Sequence, residues 1–325
     1  MTRVPTVTAA AGCGGTGREL ARFGDLGSLD AFLLGPVGLP GGAPPRATIT
    51  PSPSGLVHRA APVIPVDRVV AELLPWFRAR GLPVVCAVRG STTGVVSDTL
   101  QRLRRSLDFG TVVGVEIDLA TPREGTRPAI GDLGGAGPVG PWSADPQACL
   151  KLLAGAREQL PRDLLLQAKL GGECPDPVAA ARAAVGGGAR ALVLSGAVPA
   201  AGRGQHLVGP AVGPVTLGLV TTVRDAMAAG RVPQVPLLAV GGIHDTPGAL
   251  AAHRAGAAGV QVGCGILTDP EVLWRVHEAL AATQAESTTT PSTAESRTTS
   301  TTTTSTPEPI TTDPTTDEQG GHRGR

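Results

Sequence analysis

Val235-Pro236-Leu237-Leu238-Ala239-Val240-Gly241-Gly242-Ile243 and Gly259-Val260-Gln261-Val262-Gly263-Cys264-Gly265 decide how this chain folds. Each is a short, nearly unbroken apolar run that ends in glycines and gives way to a helical pattern. A strand with one wet face alternates apolar and polar residues, so a nearly continuous run reads as a parallel strand buried on both faces. Six more such runs come earlier, at residues 6–11, 31–34, 83–88, 112–119, 164–170 and 191–194. Helical patterns separate them at 18–23, 66–80, 97–107, 146–159, 177–185, 214–229 and 246–254, and one at 271–282 closes the series. Asp145-Pro146, Asp176-Pro177 and Asp269-Pro270 each place a capping carboxylate before a first-turn proline. Gly110, Gly186–Gly188, Gly230 and Gly256 supply helix stops. Eight strands alternating with eight helices predict a single α/β (β/α)8 barrel. A doubly wound sheet would usually need fewer strands and a switch point.

The barrel is expected to occupy residues 1–282. From 283 to 325 the chain turns to Thr, Ser, Pro and Glu, a composition that buries too little apolar surface to offset its ordering entropy, so a disordered tail is expected there. The hydrophobic fraction of 41% suffices for a core, but with four Phe, three Trp and no Tyr that core must be aliphatic. A formal net charge of +1 gives no electrostatic reason to expect nucleic acid or an anionic membrane as partner. Cys13, Cys86, Cys149, Cys174 and Cys264 are odd in number and lack metal spacing, and so read as thiols of a reducing compartment. Met1-Thr2-Arg3-Val4-Pro5 has no charged region leading into an apolar run, and no stretch reaches 18 apolar residues. A cytoplasmic protein is expected.

Chemistry belongs at the C-terminal ends of the strands, and the loops after strands seven and eight are where barrels commonly bind phosphate. Gly241, Gly242 and Gly263 there would let backbone amides approach phosphate oxygens without a Cβ in the way. Lys169 ends strand five and could hold an anion, or pair with Asp118 at the end of strand four. Glu116 and Asp118 share one strand face, as carboxylates in any barrel interior can. Gly12, Gly14, Gly15 and Gly17 follow strand one without the GxGxxG spacing. Two Gly- and Pro-rich connections, 35–65 and 121–143, are long enough to be lids or binding loops. His58 lies in the first of these and His206 follows strand six; either could act as a base, although histidines at such positions are more often plain surface residues.

Taken in order, Ala10-Ala11-Gly12-Cys13-Gly14-Gly15-Thr16-Gly17-Arg18-Glu19-Leu20, Pro53-Ser54-Gly55-Leu56, Val115-Glu116-Ile117-Asp118, Ala168-Lys169-Leu170, Gly209-Pro210-Ala211 with Pro214, Gly241-Gly242-Ile243 and Val260-Gln261-Val262-Gly263 resemble the class 1 dihydroorotate dehydrogenase family. The likeness covers nearly the whole barrel. It implies an FMN-linked oxidoreductase of the CH–CH donor type in pyrimidine biosynthesis, possessing a small-molecule substrate and often a homodimer. It assigns FMN binding to Ala11, Gly12, Lys169, Gly209, Gly241, Gly242, Gly263 and Cys264, and substrate contacts to Asp118 and Ser195. The family's lysine and serine after strand two are here Gly35 and Pro36, and the Asn-Thr pair after strand six is Ser195-Gly196. Its Asn-Ile-Ser-Cys-Pro-Asn run is Asp118-Leu119-Ala120-Thr121-Pro122-Arg123, which puts Thr121 at the base position, and His58 stands where an Asn is usual. Thr121 and His58 are thus the candidate catalytic residues. A threonine hydroxyl needs a neighbouring base to take a proton, and each lost amide costs a buried polar substrate roughly 1–3 kcal/mol. The sequence therefore implies either an FMN oxidoreductase with an altered substrate or a catalytically inactive paralogue acting as a binding or regulatory protein.

Overall fold

The structure is a computed structural model and describes residues 4–40, 49–59, 63–126, 136–200 and 205–289. Each of the eight apolar runs contains a strand: β1 (Val7–Ala9), β2 (Phe32–Gly38), β3 (Val84–Val88), β4 (Val112–Asp118), β5 (Leu165–Leu170), β6 (Ala191–Ser195), β7 (Leu237–Val240) and β8 (Gly259–Val262). They pair in parallel in the order β1-β8-β7-β6-β5-β4-β3-β2. The last seam, between β2 and β1, carries Gly12 N–H donating to Gly35 O at 2.6 Å, beside Thr6 N–H on the Asp30 carboxylate at 2.7 Å. This is the expected (β/α)8 barrel.

Strand alternation sorts the side chains. Leu192 and Leu194 of β6 face outward into the cluster that holds Leu73, Leu100, Leu153, Val220 and Val276 of the surrounding helices. Ala191 and Val193 face inward with Leu165, Leu238 and Val240. Helix Pro146–Gln159 is capped by Asp145, which accepts from Gln147 and Ala148 N–H, and helix Pro177–Gly186 by Asp176, which accepts from Ala179 N–H. The third expected cap differs: the Asp269 carboxylate is taken by Arg275, and the helix begins at Val272. That helix runs to Thr289, past the composition change at 283; residues 290–325 of the tail lie outside the described residues. The predicted helix at 18–23 is only the 3-10 turn Leu20–Arg22, because Gly12, Gly15 and Gly17 all hold positive φ just before it. The two long connections are not plain loops. Ile49–Ser52 and Gly55–Arg59 join Gln205–Val208 and Val198–Pro199 in an antiparallel sheet, and Pro122–Thr126 pairs with Ala136–Pro141.

The barrel interior holds an unexpectedly polar layer. Glu116 of β4 and Gln261 of β8 come from strands on opposite sides of the ring, and Gln261 Nε2 donates to Glu116 Oε2 at 2.6 Å. Gln167 stands beside Glu116 in register, and Thr8 beside Gln261. All four side chains are buried. Burial pushes the Glu116 carboxyl above the ordinary range, against the pull of Lys169 and the Gln261 hydrogen bond. The folded protein therefore holds this proton more tightly than the unfolded chain does. The resulting stabilisation is full below the ordinary glutamate range and is lost as pH rises through the elevated value. Glu116→Gln mimics the protonated acid at every pH. Its melting temperature is expected to gain on the parent between about pH 5 and about pH 8; a gap independent of pH would contradict the assignment.

Candidate functional site

The C-terminal ends of the strands form a mouth with two chemically distinct sides. On one side β7 runs into Gly241 (φ +104°) and Gly242 (φ +74°). A Cβ on Gly242 would sit 2.1 Å from the backbone nitrogen of Gly213, the first residue of helix Gly213–Ala228, and one on Gly241 would sit 2.8 Å from Gly196 O. The Thr216 hydroxyl lies 3.1 and 2.9 Å from the carbonyl oxygens of Val240 and Gly241, tying this helix to the strand end. Backbone geometry alone thus requires both glycines. Gly263 is different, because a Cβ there would meet only Ala10 and Cys13, each at an ordinary 3.7 Å. Among the described residues nothing demands glycine at 263, and the space beside it is open. Beside it, the N–H groups of Cys264 and Gly265 point at the Cys264 sulfur and offset part of the rise that burial imposes on this thiol. Successive amides in such a turn can hold an anion. Ala11 and Gly12 adjoin it at the end of β1. Cys13, next along, is pushed up to about 11 by burial, with Lys169 opposing and Cys264 reinforcing.

Gly209 (φ +120°) lies apart from these loops. It packs on Gly55 where the antiparallel sheet meets the turn Pro210–Val212, and a Cβ on Gly209 would come 3.0 Å from the Gly55 Cα.

Lys169 stands at the centre of the mouth. Its Cε and Nζ are 3.3 and 3.7 Å from where Gly196 would carry a Cβ, so glycine at 196 leaves the ammonium room. Of the two roles the sequence left open for Lys169, the ion pair with Asp118 does not form. The two residues are in register across β4 and β5, but Asp118 Oδ2 accepts from Arg89 Nε at 2.9 Å and its Oδ1 from Ala120 N–H at 3.1 Å. Arg89 follows β3 directly, so it reaches Asp118 from the other neighbouring strand. Lys169 has no hydrogen-bond or ion-pair partner among the described residues. Ser195 also faces this region; it holds a positive φ of 76°, is 1% exposed, and its Oγ has no partner among the described residues. A non-glycine residue in that conformation marks stored backbone strain, which gathers at functional sites.

The other side of the mouth brings His58 and His206, both candidate bases from the sequence, together with Glu173, which the sequence motifs did not single out. Glu173, three residues beyond β5, places Oε2 3.8 Å from His206 Nε2. His206 and His58 face each other across the antiparallel sheet with ring centroids 6.1 Å apart. Burial and the charge of Asp118 push the Glu173 carboxyl up. Burial, His58 and Arg89 push His206 down, with Asp118 opposing, so the imidazole is neutral at neutral pH and its contact with Glu173 is not then a salt bridge. Thr121 follows β4 by three residues; its Oγ1 is buried and unpartnered among the described residues, and its carbonyl accepts from Trp142 N–H at 3.2 Å. Arg123 turns away to Asp145 at 3.0 Å. Proximity to Lys169 at a strand C-terminus was the signal that could have found Glu173.

For Asp118, burial raises the pKa, but Arg89, Lys169 and the two hydrogen bonds outweigh it and hold the carboxyl below the ordinary range. That stabilisation is present above the ordinary aspartate range and is lost as pH falls through the depressed value. Arg89→Ala would leave a buried carboxylate without its guanidinium, at an expected cost of about 3 kcal/mol. Urea denaturation at about pH 7 and again in acid should find that cost shrinking on acidification; an equal cost at both would contradict the pairing.

Comparison with known proteins places this geometry in a family. A family model described as nitronate monooxygenase matches residues 176–308. The chain is similar to catalytic subunits of dihydroorotate dehydrogenase B (NAD(+)). With that of Desulforudis audaxviator it is 30% identical over 281 residues, covering 81% of this chain and 83% of the relative. With that of Geotalea daltonii it is 28% identical over 282 residues, covering 82% and 85%, and with that of Pelobacter propionicus 28% over 294 residues, covering 86% and 88%. The chain belongs to the dihydroorotate dehydrogenase family, whose members are FMN-dependent oxidoreductases built on this barrel.

Proposed function

We propose that the chain is an FMN-dependent oxidoreductase whose substrate is not dihydroorotate. The observation that carries this reading is the contrast between the two sides of the mouth. The cofactor side keeps open space at Gly263, successive amides in the turn that follows it, and a lysine without a hydrogen-bond or ion-pair partner among the described residues. The substrate side has exchanged neutral amides for Asp118, which already holds Arg89, and for His58.

In this reading the amides around Gly263, Cys264 and Gly265 hold the phosphate, with Gly241 and Gly242 shaping the turn beside it. Ala11 and Gly12 border the ring, and Lys169 beside Gly196 supplies positive charge next to it. Bound FMN supplies a hydride acceptor. The protein's own task is then to orient the substrate and take a proton. His206, neutral and half-buried, is better placed for this than Thr121, because a neutral imidazole accepts a proton directly and the Glu173 carboxylate at 3.8 Å would stabilise the imidazolium that results. The alternative, an inactive paralogue, is supported by the replaced base and amides; against it, the salt bridge of Asp118 goes to Arg89, and Lys169 has no ion-pair partner among the described residues. All five cysteines are unpaired, which supports a cytoplasmic location, and among the described residues no helix is long and apolar enough to cross a membrane.

The test is reconstitution of the full chain with FMN, followed by gel filtration and a visible spectrum. One flavin per chain is expected, with Lys169→Ala weakening binding about tenfold or more. Absence of flavin from the parent protein would overturn the reading.

A further inference from the structure

The substrate side of the mouth is acidic where a site for a carboxylate should be basic. Among the described residues its charged groups are Arg89, Asp118 and Glu173, with the two imidazoles of His58 and His206. The Arg89 guanidinium is engaged by Asp118 at 2.9 Å, so it presents no uncompensated charge to an incoming anion. Lys169, against Gly196 at the centre of the mouth, already acts with Arg89 on Asp118. Glu173 accepts no hydrogen bond from the described residues; its nearest cationic candidate is His206 at 3.8 Å. Burial and Asp118 both disfavour charge on Glu173, a cost that a cation seated against it would offset, and burial keeps His206 neutral. The buried, unpartnered Ser195 Oγ lies 3.4 Å from the Cβ position of Gly172, next to Glu173, and adds a hydroxyl that can accept or donate.

We propose that this site takes a substrate bearing a cationic nitrogen, an amine without a carboxylate, seated with its ammonium group against Glu173. The proposal rests on the reading of the mouth as the substrate side of an FMN site. An ammonium ion brings the donors and the charge that Glu173 lacks, and it leaves the Arg89–Asp118 pair intact. A carboxylate would have to approach two carboxylates with the only nearby guanidinium already engaged. Neutral His206 stands 3.8 Å from the same carboxylate, within reach of a proton from such a nitrogen.

A series that changes charge at nearly constant shape tests this: benzylamine, benzyl alcohol and benzoate, with orotate alongside. Each is titrated into the FMN-loaded full chain and followed by the flavin difference spectrum, and into the flavin-free chain and followed by melting temperature. Benzylamine is expected to bind at least about tenfold more tightly than benzoate or orotate, and Glu173→Gln to remove most of that preference while melting like the parent. Equal or tighter binding of benzoate or orotate, a preference unchanged in Glu173→Gln, or no response to any of the series would overturn the proposal. Failure of FMN to bind would overturn the flavin reading alone, because the melting series on the flavin-free chain still reads the charge preference.

Discussion

An ionised Asp118 at the end of a buried strand has to be met by positive charge, and the residue that meets it is Arg89 from the neighbouring strand. Several features follow from that one pair. Lys169, in register with Asp118 on the other side, adds its charge to Asp118 from a distance and lies beside Gly196 without a hydrogen-bond or ion-pair partner among the described residues. Arg89 in turn is withdrawn from service as an anion receptor. Its field also helps to keep His206 neutral, while the field of Asp118 raises Glu173. The electrostatics of the whole mouth are therefore set by which cation Asp118 takes.

Glycines divide the site in a way that motif matching alone does not. Gly241 and Gly242 are demanded by the chain itself, through positive φ and the close approach of Gly213. Their presence would be explained in a barrel that bound nothing. Gly263 carries no such demand, and neither backbone conformation nor a neighbour forbids a side chain there. One glycine motif thus holds residues that the backbone itself requires next to one whose neighbours leave room for a ligand.

The barrel was legible because burial on both faces removes polar residues from a strand, and all eight runs carried that mark. The caps at Asp145 and Asp176 were legible because a short carboxylate before proline has few other uses. The antiparallel sheet over the mouth was not: Ile49–Ser52 is largely exposed and holds Pro51, so neither apolar alternation nor strand propensity announced it. The neighbourhood of Asp118 and Lys169 followed from strand order, but the choice of Arg89 as partner is decided by side-chain reach, which a linear pattern does not encode. Glu173 and His206 come from loops far apart in sequence, and only the fold brings them together. The polar layer of Thr8, Glu116, Gln167 and Gln261 was hidden for the same reason, since each residue sits singly within an apolar run.

On the proposed function, this chain retains the family's cofactor side and has given up its substrate side. Anaerobic mixing of the FMN-loaded protein with dihydroorotate, followed by dithionite, tests it most directly. The account predicts that the oxidised flavin band persists through the first addition and bleaches only on the second. Stoichiometric bleaching by dihydroorotate would contradict it.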